Sequence, residues 1–183
     1  MPVLLDSKSN YYVLYVTTGK EEYICNIIKK RFGSHAFEPF SFKKNVSIKK
    51  GNKYKKITKV LFPGYIIIKS PLPEICFIDE IICFVRNTND IIKILNYGTS
   101  EKFAINEEEI ACFLSLCNRD YCIEYSKGLI EGDTVIIIDG PLMGYESKIT
   151  GINKQKHKVS VELVMMAELR TVTLELELIR KVD

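Results

Sequence analysis

The spacing of apolar residues changes once along this chain, and this change constrains the fold more than any other feature of the sequence. From Ile130 onward, apolar residues recur at every second position, most clearly in residues 159–163 and 172–176. A period of two sends successive side chains to opposite faces of a sheet, so these residues predict short strands without helices. Several such strands within residues 129–183 favour a small, half-open barrel.

The residues before 120 instead combine strand and helix patterns. Tyr11–Val16 is an aromatic and β-branched run that predicts a strand. We expect a helix to follow, with Thr18 capping its free N–H groups and Glu21 reaching back to the cap residue. Pro73 predicts the first turn of a second helix, and Asn106 predicts the start of a third.

Positive charge is concentrated in one stretch of the chain. Residues 29–59 hold eleven Lys and Arg residues against one acid, Glu38. Residues 1–127 carry 19 Lys and Arg against 14 Asp and Glu, whereas residues 128–183 carry 7 against 9. Part of the basic stretch predicts a hairpin with its turn at Lys49–Lys53. Such a surface fits a nucleic-acid partner, although it also fits a solvated face without a ligand.

The sequence favours a binding protein over an enzyme. It has no glycine-rich phosphate loop and no zinc-protease motif, and His35 and His157 lie near no nucleophile motif. The acidic run Glu107–Glu109 is explained as the start of the third helix. The six cysteines include no pair at the spacing of a zinc site. We therefore predict no catalytic site, no cofactor and no metal.

Length and hydropathy limit the class of protein further. A chain of 183 residues allows one full domain or two small ones. No apolar run approaches the roughly 18 residues that cross a bilayer, and the N-terminal residues lack the pattern of a secretory signal. We therefore expect a cytoplasmic protein with reduced cysteines and no membrane contact.

Several motifs occur in the order and spacing of one protein family. The first three are Tyr12–Tyr15 with the helix start at Thr18–Glu21, then Leu61-Phe62-Pro63-Gly64-Tyr65, then Phe84-Val85-Arg86-Asn87-Thr88. They resemble the opening strand, the F-F-P-G-Y signature and the V-R-N-T signature of the NusG family of transcription elongation factors. Further motifs resemble the KOW domain of that family: Gly132-Asp133 with Val135, then Asp139-Gly140-Pro141-Leu142, then Val159-Ser160-Val161.

The resemblance implies a fold and a protein partner. The fold is an α+β N-terminal domain over residues 1–120, with an antiparallel sheet flanked by helices, then a linker over 121–128 and a five-stranded SH3-like KOW barrel over 129–183. The partner is RNA polymerase, bound at the clamp helices of its largest subunit so that pausing is suppressed. The residues expected to bind polymerase are Tyr12, Tyr15, Leu61, Phe62 and Tyr65, and the alternative for Leu61 and Phe62 is a place in the core.

The resemblance also implies contacts with nucleic acid. Lys20 and Lys29 would face the upstream DNA fork or the non-template strand. Residues 163–172 lack the aromatic residue with which the family holds ribosomal protein S10 or a termination factor. This departure, with the sequence of residues 139–146, resembles the LoaP group of operon-specific antiterminators, whose KOW domain binds a hairpin of nascent RNA. The cations expected to hold that RNA form two groups at opposite ends of the barrel, Lys148 with Arg170, and Lys154, Lys156, His157 and Lys158.

The sequence therefore predicts an operon-specific, processive antiterminator that acts as a monomer. One alternative is a general elongation factor whose KOW domain bridges to ribosomal protein S10 or to a termination factor. A second alternative, a free-standing ribosomal or RNA-chaperone KOW protein, leaves the polymerase signature unexplained.

Overall fold

The computed structural model describes residues 5–6, 8–33, 36–51, 53–131 and 134–180. His35, Asn52 of the predicted turn and the Gly132-Asp133 motif lie outside the described residues. The elements in chain order are β1 (Asn10–Val16), α1 (Glu21–Phe32), β2 (Glu38–Phe40), β3 (Lys43–Lys50), β4 (Lys53–Val60), β5 (Tyr65–Ser70), α2 (Glu74–Arg86), β6 (Ile91–Ile94), α3 (Glu107–Leu116), β7 (Cys122–Ile123), β8 (Ser126–Glu131), β9 (Thr134–Asp139), a 3-10 turn at Glu146–Lys148, β10 (Ile149–Asn153), β11 (Lys158–Met165) and β12 (Glu168–Arg180).

The N-terminal part is built on an antiparallel sheet of strand order β2-β5-β1-β6. Alternation along β1 sends Tyr12 and Leu14 to one face, where they pack with residues of α1 and α2. Tyr11 and Val13 lie on the other face, in the apolar cluster that includes α3. The predicted α+β fold, a sheet flanked by helices, is confirmed.

The C-terminal part is a five-stranded sheet of order β10-β11-β12-β8-β9, curled into a half-barrel. The strand β12 lies at its centre, pairing antiparallel with β11 along its first half and parallel with β8 along its second. Val159, Val161 and Leu163 are fully buried, as the period of two predicts. This part has the predicted KOW-like, SH3-like architecture.

The start of α3 is confirmed, because Asn106 caps it by accepting a hydrogen bond from the Glu108 N–H at 3.0 Å. The second helix is present, but Pro73 takes its cap position with an extended backbone instead of its first turn, and α2 begins at Glu74. The prediction for α1 is wrong, because Lys20 occupies the cap position and no side chain bonds to the free N–H groups there. Glu21 is buried instead and contacts a distant turn, described below.

Residues 121–128, expected to form a linker, take part in the packing. The Tyr121 ring stacks on Phe40 with 3.6 Å between centroids, and its hydroxyl donates to Glu38 at 2.8 Å. The short strand β7 pairs parallel with β3, and β8 begins at Ser126. One apolar cluster contains residues of β1, α3 and the half-barrel. The two parts are therefore packed together here, and their division into separate domains stays a prediction.

Candidate functional site

Three partly exposed aromatic side chains form what we call the aromatic surface: Tyr15, Phe62 and Tyr65. Tyr15 and Tyr65 are paired in register on β1 and β5, and their ring centroids are 5.6 Å apart in an edge arrangement. The ring centroid of Phe62 lies 6.2 Å from that of Tyr65 and 5.5 Å from that of the buried Phe113 on α3. The core thus fixes the base of the aromatic surface, while its rim is partly exposed.

The Pro63-Gly64 turn sets the direction of these rings. Gly64 has a φ of +85°, and a Cβ there would lie 3.0 Å from the ring of Tyr15. The Gly64 N–H donates to Glu21 Oε1 at 2.6 Å, and its carbonyl accepts from the Val16 N–H at 2.8 Å. Both backbone groups of the glycine are therefore bonded, and the turn is fixed between β1 and α1.

Two residues predicted to bind polymerase lie in the core. Tyr12 is 0% exposed, stacks on Phe77 with 3.7 Å between centroids and donates its hydroxyl to the Leu72 carbonyl at 3.0 Å. Leu61 is 6% exposed and belongs to the apolar cluster beneath the aromatic surface. The structure therefore does not place Tyr12 and Leu61 on a surface, because alternation along β1 turns Tyr12 toward α2. The role of Tyr15, Phe62 and Tyr65 stays a prediction.

The hairpin turn between β11 and β12 lies against the aromatic surface. Arg170 donates to the Tyr65 hydroxyl at 3.2 Å and pairs with Glu168. A cleft of about 670 Å³ runs along the contact, lined from one side by Tyr15 and Tyr65 and from the other by residues 166–170. In this arrangement the half-barrel covers part of the aromatic surface.

Glu109 on α3 holds this hairpin turn in place. Met166 and Ala167 have φ values of 55° and 62°, a left-handed conformation that few residues other than glycine adopt. Their N–H groups donate to Glu109 at 3.1 and 3.2 Å, and the Tyr97 hydroxyl donates to the same carboxylate at 2.7 Å. The acid that the sequence explains as a helix-start residue therefore joins the two parts of the molecule.

The two cations expected to contact DNA are exposed on α1. Lys20 lies at its N-terminal end, with its Nζ 5.7 Å from the Tyr23 ring centroid, and Lys29 lies in its last turn. The helix packs on the sheet face opposite to α3, so both lysines lie away from the aromatic contact with the half-barrel. Their position leaves them accessible to a polyanion, and the contact itself stays a prediction.

The two groups of C-terminal cations have different surroundings. Arg170 is bonded to Tyr65 and belongs to the contact between the parts. Burial raises the pKa of Cys112 on α3, and the charge of Lys148 partly offsets this rise. Lys154, Lys156 and His157 are exposed in the β10–β11 turn, and Lys158 follows them at 3.9 Å from Glu175. The second group is therefore the more accessible to a large ligand.

Several buried groups titrate away from their ordinary range. Burial raises the pKa of the Cys25 thiol to about 11 and that of Cys117 to about 12. Both thiols are therefore protonated and weakly reactive at neutral pH. The pKa of Lys44 is lowered, first by burial and then by the nearby charge of Lys158.

The described residues include neither a metal-ligand cluster nor a membrane-spanning helix. Among them, no group of three or more His, Cys, Asp or Glu side chains is arranged to hold a metal ion. Within the same residues, no helix combines the length and the apolar character needed to cross a membrane.

The sequence matches one protein family and several of its members. Residues 9–114 match the family described as "Transcription termination factor nusG". The chain is 31% identical over 137 residues to "Transcription termination/antitermination protein NusG" of Streptococcus pyogenes serotype M3, covering 68% of this chain and 73% of that protein. It is 27% identical over 185 residues to the Bacillus subtilis protein of the same name, covering 95% and 99%. A solved structure described as "Domain interaction in Thermotoga maritima NusG" covers 91% of this chain and 93% of that one, with a TM-score of 0.49 and 16% identity.

Proposed function

This chain belongs to the NusG family of transcription factors, and from this membership we propose that it is an operon-specific, processive antiterminator of the LoaP type. Family members act on transcription by interacting with RNA polymerase and are not enzymes.

The aromatic surface is the observation that carries the polymerase part of the proposal. Tyr15, Phe62 and Tyr65 present large, rigid rings whose bases pack on the core, and such residues dominate the binding energy of many protein interfaces. We propose that they bind the clamp helices of the largest polymerase subunit. Because the β11–β12 turn lies against Tyr65, binding requires this turn to move away from the aromatic surface.

Two features favour an operon-specific role over a general one. Residues 163–172 contain no aromatic side chain with which to hold a ribosomal protein, and the turn within them is directed at the N-terminal part. The exposed cations of the β10–β11 turn offer a surface for the phosphates of an RNA hairpin. Lys20 and Lys29 would contact the non-template DNA, and a monomer supplies all these surfaces.

The polymerase contact is tested by truncating the aromatic side chains. Phe62→Ala and Tyr65→Ala should each weaken binding to the clamp helices by on the order of 2 kcal/mol and abolish readthrough of a terminator in transcription with purified components. Ile75→Ala is the matched control, because Ile75 is 77% exposed on α2 and lies outside the aromatic surface. Full readthrough by both aromatic variants would show that polymerase binds elsewhere.

The RNA contact is tested with the full chain and the leader RNA of its own operon. We expect the leader hairpin to bind more tightly than a duplex of the same length and scrambled sequence in a gel-shift assay. Equal binding of the two RNAs would remove the operon-specific claim. Tight binding of ribosomal protein S10 in a parallel pull-down would favour the general elongation factor instead.

A further inference from the structure

Two basic hairpins from different parts of the chain meet on one side of the molecule. The first is β3–β4 and the second is the β10–β11 hairpin. The sequence contains no Asp or Glu within residues 43–60 or within residues 149–160, so β3–β4 and the turn end of the β10–β11 hairpin carry no acid, and Glu162 lies further along β11. Their meeting therefore concentrates positive charge at one place.

Lys44 joins the first hairpin to β12, the strand that pairs with β11. Its Nζ donates to the Thr173 carbonyl on β12 at 2.8 Å. Two residues further along β12, Glu175 is paired in register with Lys158, the first residue of β11. Lys44 is thus close to Lys158, whose charge contributes to lowering the pKa of Lys44.

The register of the first hairpin extends this charge outward. Lys44 is paired with Lys59 and Ile48 with Lys55, and because side chains alternate along a strand, these three lysines share one face of the hairpin. Lys55 and Lys59 are exposed. In the C-terminal part, Lys156 and Lys158 extend this basic surface, and Lys156 is exposed.

The acids near this surface do not neutralise it. Glu175 is the carboxylate that faces Lys158, at 3.9 Å, and it is only 6% exposed. Among the described residues, Glu162 is the acid of β11 and lies four residues beyond Lys158, away from the β10–β11 turn, so positive charge remains concentrated at the turn ends of the two hairpins. Like charges held together in this way are stabilised when a polyanion binds across them.

We propose that these two hairpins form one composite binding surface for the stem of an RNA hairpin, with Lys55 and Lys59 on one side and Lys154 and Lys156 on the other. Both hairpins would contact the phosphate backbone of the helical stem. The β10–β11 hairpin contains Asn153 and Gln155 among its lysines and no Phe, Tyr or Trp, which suits a duplex read through phosphates and 2′-hydroxyls better than stacked single-stranded bases.

This inference rests on the proposed RNA-binding function and changes where the RNA lies. If the C-terminal part bound RNA alone, substitutions in β3–β4 would leave binding unchanged. If the surface is composite, both hairpins contribute phosphate contacts, and each lysine removed should lower the slope of log affinity against log salt by about one.

The experiment measures binding of a fluorescent RNA stem-loop to the full chain by anisotropy at several salt concentrations. One variant carries Lys55→Gln with Lys59→Gln, a second carries Lys154→Gln with Lys156→Gln, and a third combines the four substitutions. The control carries Lys93→Gln with Lys102→Gln, two exposed lysines in and after β6. This control removes the same amount of charge at β6, the edge strand of the N-terminal sheet opposite to β2.

We expect each two-lysine variant to bind about tenfold more weakly at low salt with a slope smaller by about two, while the control binds like the wild type. If the variant with Lys55→Gln and Lys59→Gln bound RNA like the wild type while the variant with Lys154→Gln and Lys156→Gln bound it more weakly, the composite surface would be overturned and the proposed function would stand. Failure of the wild type to bind any RNA would overturn the proposed function itself. Equal or tighter binding of a DNA duplex of the same sequence would overturn the assignment to RNA.

Discussion

Replacing Glu21 with alanine should destabilise the protein and loosen the turn that directs the aromatic surface. Glu21 is 5% exposed, and its Oε1 accepts the Gly64 N–H at 2.6 Å. Removal of the carboxylate leaves this buried N–H without its acceptor. The loss of a buried hydrogen bond to a charged group costs about 2 kcal/mol of unfolding free energy. For a chain of this size, that cost lowers Tm by about 4–8 °C.

The comparison with conservative and neighbouring substitutions isolates this bond. Glu21→Gln keeps an acceptor oxygen and loses only the charge, so we expect it to cost about half as much. Glu22→Ala is the matched control, since Glu22 lies in the same helical turn but is exposed, and its effect should stay within about 0.5 kcal/mol. Stability is measured by urea unfolding followed by circular dichroism, and clamp-helix affinity is measured on the same samples. Equal stability of Glu21→Ala and Glu22→Ala would refute the reasoning.

Three further predictions concern other parts of the structure. Gly140→Ala should lower the free energy of unfolding by about 2 kcal/mol or more, because the new Cβ would lie 2.7 Å from backbone atoms where β8 begins. Gly144→Ala is the control, since Gly144 also has a left-handed φ but has open space around it, and it should cost less in the same urea assay. Arg170→Ala should raise affinity for the clamp helices several-fold by releasing Tyr65, as measured by calorimetry, and unchanged affinity would mean that the turn does not hinder binding. Burial raises the pKa of Tyr12 from 10.0 to about 12. Because the unfolded chain then loses this proton before the folded protein does, the free energy of unfolding should be unaffected below pH 10 and fall between pH 10 and 12. The fall should be less steep in Tyr12→Phe.

Much of the fold follows from patterns that act locally. The period of two in residues 159–163 predicts the burial seen in β11, and Asn106 caps α3 because its side chain needs only the N–H two residues away. Glu21 has an equally local pattern, yet its carboxylate bonds to Gly64, which is 43 positions away in the sequence. A tertiary contact decides this position, and capping rules contain no information about it.

The candidate site shows the same limit. The aromatic residues of one motif include Phe62 and Tyr65 at the surface, but Tyr12 in the adjacent strand is buried. A sequence gives the alternation of a strand without saying which face a helix will cover. Glu109 is similar, because one acid in a helical first turn looks like any other until the turn at Met166 and Ala167 is placed beside it.

The position of β12 has a consequence for the protein while it is being synthesised. This strand follows β8 to β11 in the chain but lies at the centre of their sheet, so the half-barrel lacks its middle strand until β12 has left the ribosome. Pairing between strands distant in sequence is also slow to form. The sheet of β1, β2, β5 and β6 has all its strands synthesised by Ile94 and can fold earlier. A nascent chain therefore presents an uncovered Tyr65 first and acquires the Arg170 contact last.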